Sequence, residues 1–286
     1  MKYLIRLSFV GTAYCGWQTQ KNGPSVQSCV MEALRKIFGS ISEFSGCSRT
    51  DSGVHALDFC ASFSVSSRKP DAPISAQSSC DVPISAQAPY DAPPCDAPIS
   101  TSAPRNKETS IPLPCDKLIS ALNANLPKDI SVHSAQVVPD DFHARYSVKR
   151  KEYLYRIRTS DVRSPFWEER AWHRRGDYDI TLLNQAAAEF RGTHDFRSFM
   201  AAGSKIDDCT RTVFDARFEQ NGENLDFYVS ADGFLYNMVR IMVGTLLDVP
   251  RRFSPQDVVE ILEAKDRSRA GMTAPAHGLY LNRVEY

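Results

Sequence analysis

The run Ser48-Arg49-Thr50-Asp51-Ser52-Gly53-Val54-His55-Ala56 places one carboxylate, Asp51, between a cation at Arg49 and a glycine at Gly53. A carboxylate on a tight loop can serve as nucleophile or base, provided its surroundings keep it ionised. Catalytic groups are commonly held on such loops by a rigid scaffold. The plainer alternative is a turn in which Asp51 bonds its own backbone and Gly53 takes a positive φ. A metal site built from Asp51, His55 and His143 is a poor fit, because the Asp51–His55 gap crosses a turn and a strand rather than one helical face. His55 is read as structural, holding the loop.

The elements around the loop must position it. A strand-like stretch, about Ile41 to Phe44, precedes it. After it, Leu57 to Val65 alternates apolar and small or polar residues, the pattern of a half-buried strand. The chain opens on a strand with Tyr3, Ile5, Leu7 and Phe9 on one face. Val26, Val30, Leu34 and Ile37-Phe38 then recur at helical spacing and stop at Gly39. A helix near Lys117–Leu122 and a strand near Ile130–Val138 follow. The second half repeats this grammar. Tyr153, Tyr155 and Ile157 alternate; a helix near Ile180–Phe190 stops at Gly192; Phe214, Ala216 and Phe218 form one strand and Leu225, Phe227 and Val229 another. An apolar helix near Leu235–Val249 carries Arg240 among Met238, Val239, Ile241 and Met242, and an arginine in such company is normally paired. Ser254-Pro255 starts a further helix, with Ser as cap and Pro at the first helical position. The last strand covers Leu279–Tyr286. Strands and helices in this mixed order predict an α+β fold with largely antiparallel sheet.

Residues 68–114 differ in kind. Asp71-Ala72-Pro73-Ile74-Ser75, Asp81-Val82-Pro83-Ile84-Ser85 and Asp96-Ala97-Pro98-Ile99-Ser100 repeat a Pro-, Ala- and Ser-rich unit with few aromatics. Such a unit cannot bury a core and is read as a low-complexity insertion. Loop-closure entropy grows slowly enough with length for the fold to tolerate it.

Read together, the motifs resemble the tRNA pseudouridine synthase A family. They are Gly16-Trp17-Gln18, Ser25-Val26-Gln27, Arg49-Thr50-Asp51 with Gly53-Val54-His55-Ala56, Asn123-Ala124-Asn125-Leu126-Pro127, and Asp141-Phe142-His143-Ala144-Arg145. Lys151-Glu152-Tyr153-Leu154-Tyr155, Gly192-Thr193-His194-Asp195-Phe196, Arg211-Thr212, Asn237-Met238-Val239-Arg240 and Gly278-Leu279-Tyr280-Leu281 complete the series. They come in family order and span the chain apart from the insertion. The resemblance implies the pseudouridine synthase fold. Two similar halves, residues 1–145 with the insertion and 146–286, join their sheets around a central cleft. It also implies isomerisation of uridine at positions 38, 39 and 40 of the tRNA anticodon stem-loop, by a cytoplasmic homodimer. Asp51 corresponds to the essential aspartate, Tyr153 to the active-site tyrosine and Arg240 to an arginine that could pair with Asp51. Arg49 and Thr50 belong to the substrate-binding loop. Ser48 stands where the family pattern often carries glycine, which changes backbone freedom but not the chemical groups.

The reaction detaches a base and reattaches it through carbon, so it calls for no cofactor and no metal. The eight cysteines show no metal-ligand spacing, and reduced cytosolic thiols account for them. No segment has the length and apolarity of a membrane span, and the alternating N-terminus is not a signal peptide. The net charge is zero, yet ten Lys or Arg against four Asp or Glu fall between Arg145 and Arg175. That window, with Lys149, Arg150 and Lys151, is the candidate tRNA-contacting patch; the plain alternative is an ordinary solvated face. Two readings follow, an active isomerase or a catalytically silent RNA-binding protein on the same scaffold. The joint presence of Asp51, Tyr153 and Arg240 favours the first.

Overall fold

The computed structural model describes residues 1–21, 23–65, 113–204, 206–249 and 251–286. The low-complexity insertion, apart from residues 113 and 114, lies outside the described residues.

The first half runs β1 (Lys2–Phe9), α1 (Val26–Phe38), β2 (Ser42–Gly46), β3 (His55–Ser64), α2 (Cys115–Asn125) and β4 (Ile130–Val138). The second runs β5 (Arg150–Arg158), β6 (Trp172–His173), α3 (Ile180–Ala188), β7 (Gly192–Asp195), β8 (Thr210–Asn221), β9 (Asn224–Ala231), α4 (Met238–Leu246), α5 (Pro255–Ala264) and β10 (Leu279–Glu285). The ten strands among the described residues form one sheet, mostly antiparallel, whose main path is β4-β1-β3-β10-β5-β9-β8-β7. β10, from the end of the chain, joins the halves: it pairs in parallel with β3 and antiparallel with β5. That seam brings the loop before β3 alongside β5.

Local chemistry explains the helices. In α1, Ser25 and Ser28 form a reciprocal capping box, and Gly39 ends the helix at φ 75°. In α5, Ser254 and Asp257 do the same, with Pro255 at the first position. Each half also ties a helix to a strand through one asparagine. Asn123 of α2 exchanges two 2.8 Å hydrogen bonds with the Val132 backbone. Asn184 of α3 does likewise with Phe218, at 3.1 and 2.7 Å. Each amide satisfies one donor and one acceptor that burial would otherwise leave costly.

The apolar stripe of β1 packs as its alternation predicts. Tyr3 stacks on Phe63 at 5.5 Å and faces Phe38 of α1 at 6.2 Å. β3 and β8 depart from the strict period of two that their sequences suggest. β3 is not half-buried but enclosed on both faces from Phe59 to Phe63: Phe59 and Phe63 pack on Trp17, Tyr3 and Phe38, while the segment around Ala144, whose amide donates to Ser62 Oγ at 3.2 Å, covers the other face. A bulge on β3 opposite Leu7 and Phe9 turns Leu57 outward, leaving it 46% exposed. A second bulge, in β8, gives the inward position to Val213 and leaves Phe214 45% exposed. The Arg150 guanidinium covers the Phe214 ring at 5.4 Å.

Candidate active site

Asp51 sits on the loop between β2 and β3. Its backbone carbonyl accepts from the Val54 amide at 3.2 Å, and Gly53 takes φ +78°, as the turn requires. The Asp51 side chain does not bond its own backbone. Its carboxylate Oδ2 lies 3.4 Å from Nη1 of Arg240, on α4. The loop is seated from below by the N-terminal block. The Trp17 amide donates to the Thr50 carbonyl at 3.2 Å. Gly16, at φ +88°, approaches so closely that a Cβ would lie 2.2 Å from the Thr50 oxygen. Trp17 is buried and stacks on Phe59 at 3.9 Å, tying this support to the core.

Arg240 is held in place before it meets Asp51. Its Nε donates to the Ala274 carbonyl at 2.7 Å, and Nη1 donates to Asn237 Oδ1 at 2.7 Å. Asn237 begins α4 in a left-handed conformation and spends its side chain on Arg240 rather than on a helix cap. A planar guanidinium pinned on two sides is an oriented charge, not a mobile one.

The electrostatics of Asp51 are a contest. Burial pushes its carboxyl above the ordinary carboxylate value, and the charge and hydrogen bond of Arg240 pull it back. The direction that survives is upward, so burial outweighs the single cation. The Asp51 side chain keeps 33% of its exposure, against 17% for Arg240, leaving the carboxylate open to a ligand while its partner is enclosed.

Tyr153 is buried on β5, and its ring meets Phe234 edge-on at 4.9 Å. Its hydroxyl lies 3.2 Å from Ser48 Oγ. Burial drives the phenol well above its usual pKa, with the nearby charge of Asp51 acting in the same direction. It is therefore neutral near pH 7 and able to donate. Tyr155 shares that strand face but is committed to structure, donating to the Pro275 carbonyl at 2.7 Å. Ser48, noted in the sequence only for its backbone freedom, reaches Tyr153 with a hydroxyl that a glycine would lack. Thr50 is buried, and its Oγ1 has no hydrogen-bond partner among the described residues. Arg49 is exposed beside them.

His55 takes the structural part expected of it. Its Nδ1 accepts from the Gly11 amide at 2.9 Å, and Nε2 lies 3.0 and 3.1 Å from the carbonyls of Glu169 and His277. His143 Nδ1 accepts from the amides of Arg145 and Tyr146. Neither ring is turned to Asp51. Among the described residues, no three His, Cys, Asp or Glu side chains group as metal ligands would.

The basic window divides in three dimensions. Arg156 pairs with Asp226, Arg158 with Glu223, Arg163 with Glu168, Arg174 with Asp248 and Arg175 with Asp161. Of these, Arg163–Glu168 and Arg175–Asp161 are exposed surface pairs, whereas Arg156 grips the buried Asp226 carboxylate with two hydrogen bonds; all five charges are already matched. Of the other five, Arg170 lies beside Tyr280 of β10, whereas Arg145, Lys149, Arg150 and Lys151 gather around the start of β5. There strand alternation separates the triplet: Lys151 falls on the Tyr153 face, whereas Arg150 lies on the other, donating to Ser230 Oγ at 2.6 Å. Lys149 is exposed at the entry to the strand.

A family model described as tRNA pseudouridine synthase matches residues 186–286. The chain is similar to a tRNA pseudouridine synthase A of Thermoanaerobacter sp. (strain X514), 37% identical over 284 residues covering 99% of this chain and 98% of the relative. The same-named protein of Moorella thermoacetica is 39% identical over 285 residues, with 99% and 98% covered. That of Clostridium acetobutylicum is 35% identical over 283 residues, again covering 99% and 98%.

Proposed function

Since the chain belongs to the tRNA pseudouridine synthase A family, we propose that it isomerises uridines 38, 39 and 40 of the tRNA anticodon stem-loop, with Asp51 as the nucleophile. The observation that carries this reading is the meeting of a partly open carboxylate, Asp51, with a pinned guanidinium, Arg240, at 3.4 Å. Residues 1–145 supply Asp51, and residues 146–286 supply Tyr153 and Arg240, so the two proposed halves complete one site.

In the reaction the N1–C1′ bond breaks and a C5–C1′ bond forms. The C5 proton leaves, N1 gains one, and nothing is oxidised. Attack by Asp51 at C1′, attack at C6 and removal of a ribose proton all require the ionised carboxylate. Arg240 supplies the charge that keeps it so against burial. The uracil must leave the base stack to reach it. Tyr153 then offers its ring for stacking and its hydroxyl, steadied by Ser48, for proton transfer. Thr50 Oγ1, buried and unpartnered, is a polar group left for the substrate, and exposed Arg49 is placed to contact the RNA. Of the basic triplet, Lys149 and Lys151 are the proposed RNA contacts. Arg150 is left out because its side chain is engaged on the opposite face. The working form is proposed to be a cytoplasmic homodimer. No helix among the described residues is long and apolar enough to cross a membrane.

Mapping of pseudouridine in unmodified tRNA, treated with the purified protein without added metal or cofactor, tests the reading. Modification confined to positions 38–40 supports it. Modification elsewhere, or none while tRNA still binds, would favour another target or a silent RNA-binding protein.

A further inference from the structure

Two cations near Tyr153 lack an ion-pair partner among the described residues. Lys151 stands two residues before Tyr153 on β5, so their side chains share a sheet face. Lys151 lies opposite Ala231 of β9, and Ala231 lies opposite Val213 of β8. Directly opposed residues project to the same side, and Arg211, two before Val213, continues on it. Arg211 packs against Gly233, where a Cβ would come within 3.2 Å of its Nε. The next residue, Phe234, is the one whose ring meets Tyr153. The guanidinium is anchored through backbone: Nη1 donates to the carbonyls of Asp208 and Thr210, at 3.1 and 2.5 Å, and the Asp208 carboxylate feels its charge without forming an ion pair with it. Asp232, on the same loop, accepts from the Thr212 amide instead.

Among the described residues, neither Lys151 nor Arg211 makes an ion pair. Lys151 is moreover partly withdrawn from water. Burial presses its pKa down, and the charges of Arg145 and Arg211 add to that pressure. A desolvated ammonium beside like charges is unfavourable unless an anion completes the site. Strand alternation and a glycine seat have thus brought together a point charge and a planar fork, the two side-chain types that grip phosphate.

We propose that Lys151 and Arg211 form a phosphodiester-binding site on the sheet face that carries Tyr153, gripping the RNA backbone of the nucleotide seated there. This rests on the isomerase reading and gives a task to the Arg211-Thr212 motif, which the chemistry at Asp51 does not use.

The test measures affinity of the full-length protein for an unmodified anticodon stem-loop RNA between 50 and 200 mM salt. Arg211→Gln is expected to bind roughly tenfold more weakly, with a log-affinity against log-salt slope shallower by about 0.7 to 1. Arg211→Lys should keep the slope. In turnover, Arg211→Gln should raise KM with kcat little changed. A scan of single neutral methylphosphonates along the RNA should find one position that weakens the wild type and leaves Arg211→Gln unaffected. An unchanged slope in Arg211→Gln, or no such position in the scan, would overturn the site. Release of tritium from uracil C5, read in the same reactions, keeps the two claims apart. Release with an unchanged slope sinks the phosphate site alone. No release from the wild type, with the slope and scan as expected, sinks the isomerase reading alone.

Discussion

Burial works against an ionised Asp51, and Arg240 works for it. Because the folded pKa is raised above the unfolded one, the ionised side chain lowers stability at neutral pH, and that cost is relieved as pH falls through the folded pKa. Asp51→Asn should therefore melt at the same temperature as wild type or higher, while turnover falls by a factor on the order of 10⁴ to 10⁶. Calorimetry and a rate assay check the two halves of that statement, and a strongly lowered melting temperature would return Asp51 to a structural part. The same shift sets the pH profile. Activity needs the carboxylate, so the rate should drop on the acid side with a midpoint above that of an exposed aspartate. Arg240→Gln removes the opposing charge, and its residual activity should show that midpoint moved to still higher pH. A midpoint unmoved by the substitution would mean that the two groups are not coupled. Ser48→Ala removes one hydrogen bond to a neutral phenol, a loss of about 1 kcal/mol, or several-fold in rate if Tyr153 must be oriented.

At the scale of elements, Gly16 shows how a distant block serves the catalytic loop. Alanine there would set a Cβ against the Thr50 carbonyl at φ +88°. The left-handed backbone alone costs roughly 1–2 kcal/mol, and the clash must shift the Asp51 loop as well. Gly16→Ala should lower stability by at least that amount, by denaturant titration, and lose activity out of proportion. Much of this architecture was legible in the chain. The bounds of α1 follow from its apolar spacing, Ser25 and Gly39, and the start of α5 from Ser254-Pro255. What was not legible has a common physical cause: neighbours decide burial. Alternation in Leu57–Val65 announced a strand but could not say that the distant Ala144 segment would cover its second face. Phe214 looked inward until a bulge handed its place to Val213. The Lys149-Arg150-Lys151 run looked like one patch because sequence does not show which face each side chain takes. The Asp51–Arg240 pair joins residues 189 apart, so the motif could suggest partners but not their geometry. Ser48 stood out only as a replacement for glycine, because the contact of its hydroxyl is with a residue 105 positions away.

For the whole molecule, neutrality hides a division of charge. Five arginines of the basic window are paired with acids, and four of the other five cations stand around the start of β5. Lys151→Ala should flatten the salt dependence of tRNA affinity, whereas Arg150→Ala should leave it as in wild type. Equal effects would mean that RNA reaches both faces of the sheet. Removing Asp71–Glu108, in the segment read as low-complexity, should spare fold and turnover; unfolding or loss of tRNA binding would show that it contributes to one of them. The central claim is that Asp51 isomerises tRNA uridine without help from metal or cofactor. Its most direct test is tritium release from tRNA labelled at uracil C5, with wild type and Asp51→Asn compared in the presence of chelator. Release by the wild type and none by Asp51→Asn, with both proteins folded and binding tRNA equally, is the predicted result. Release by both, or by neither, would contradict the account.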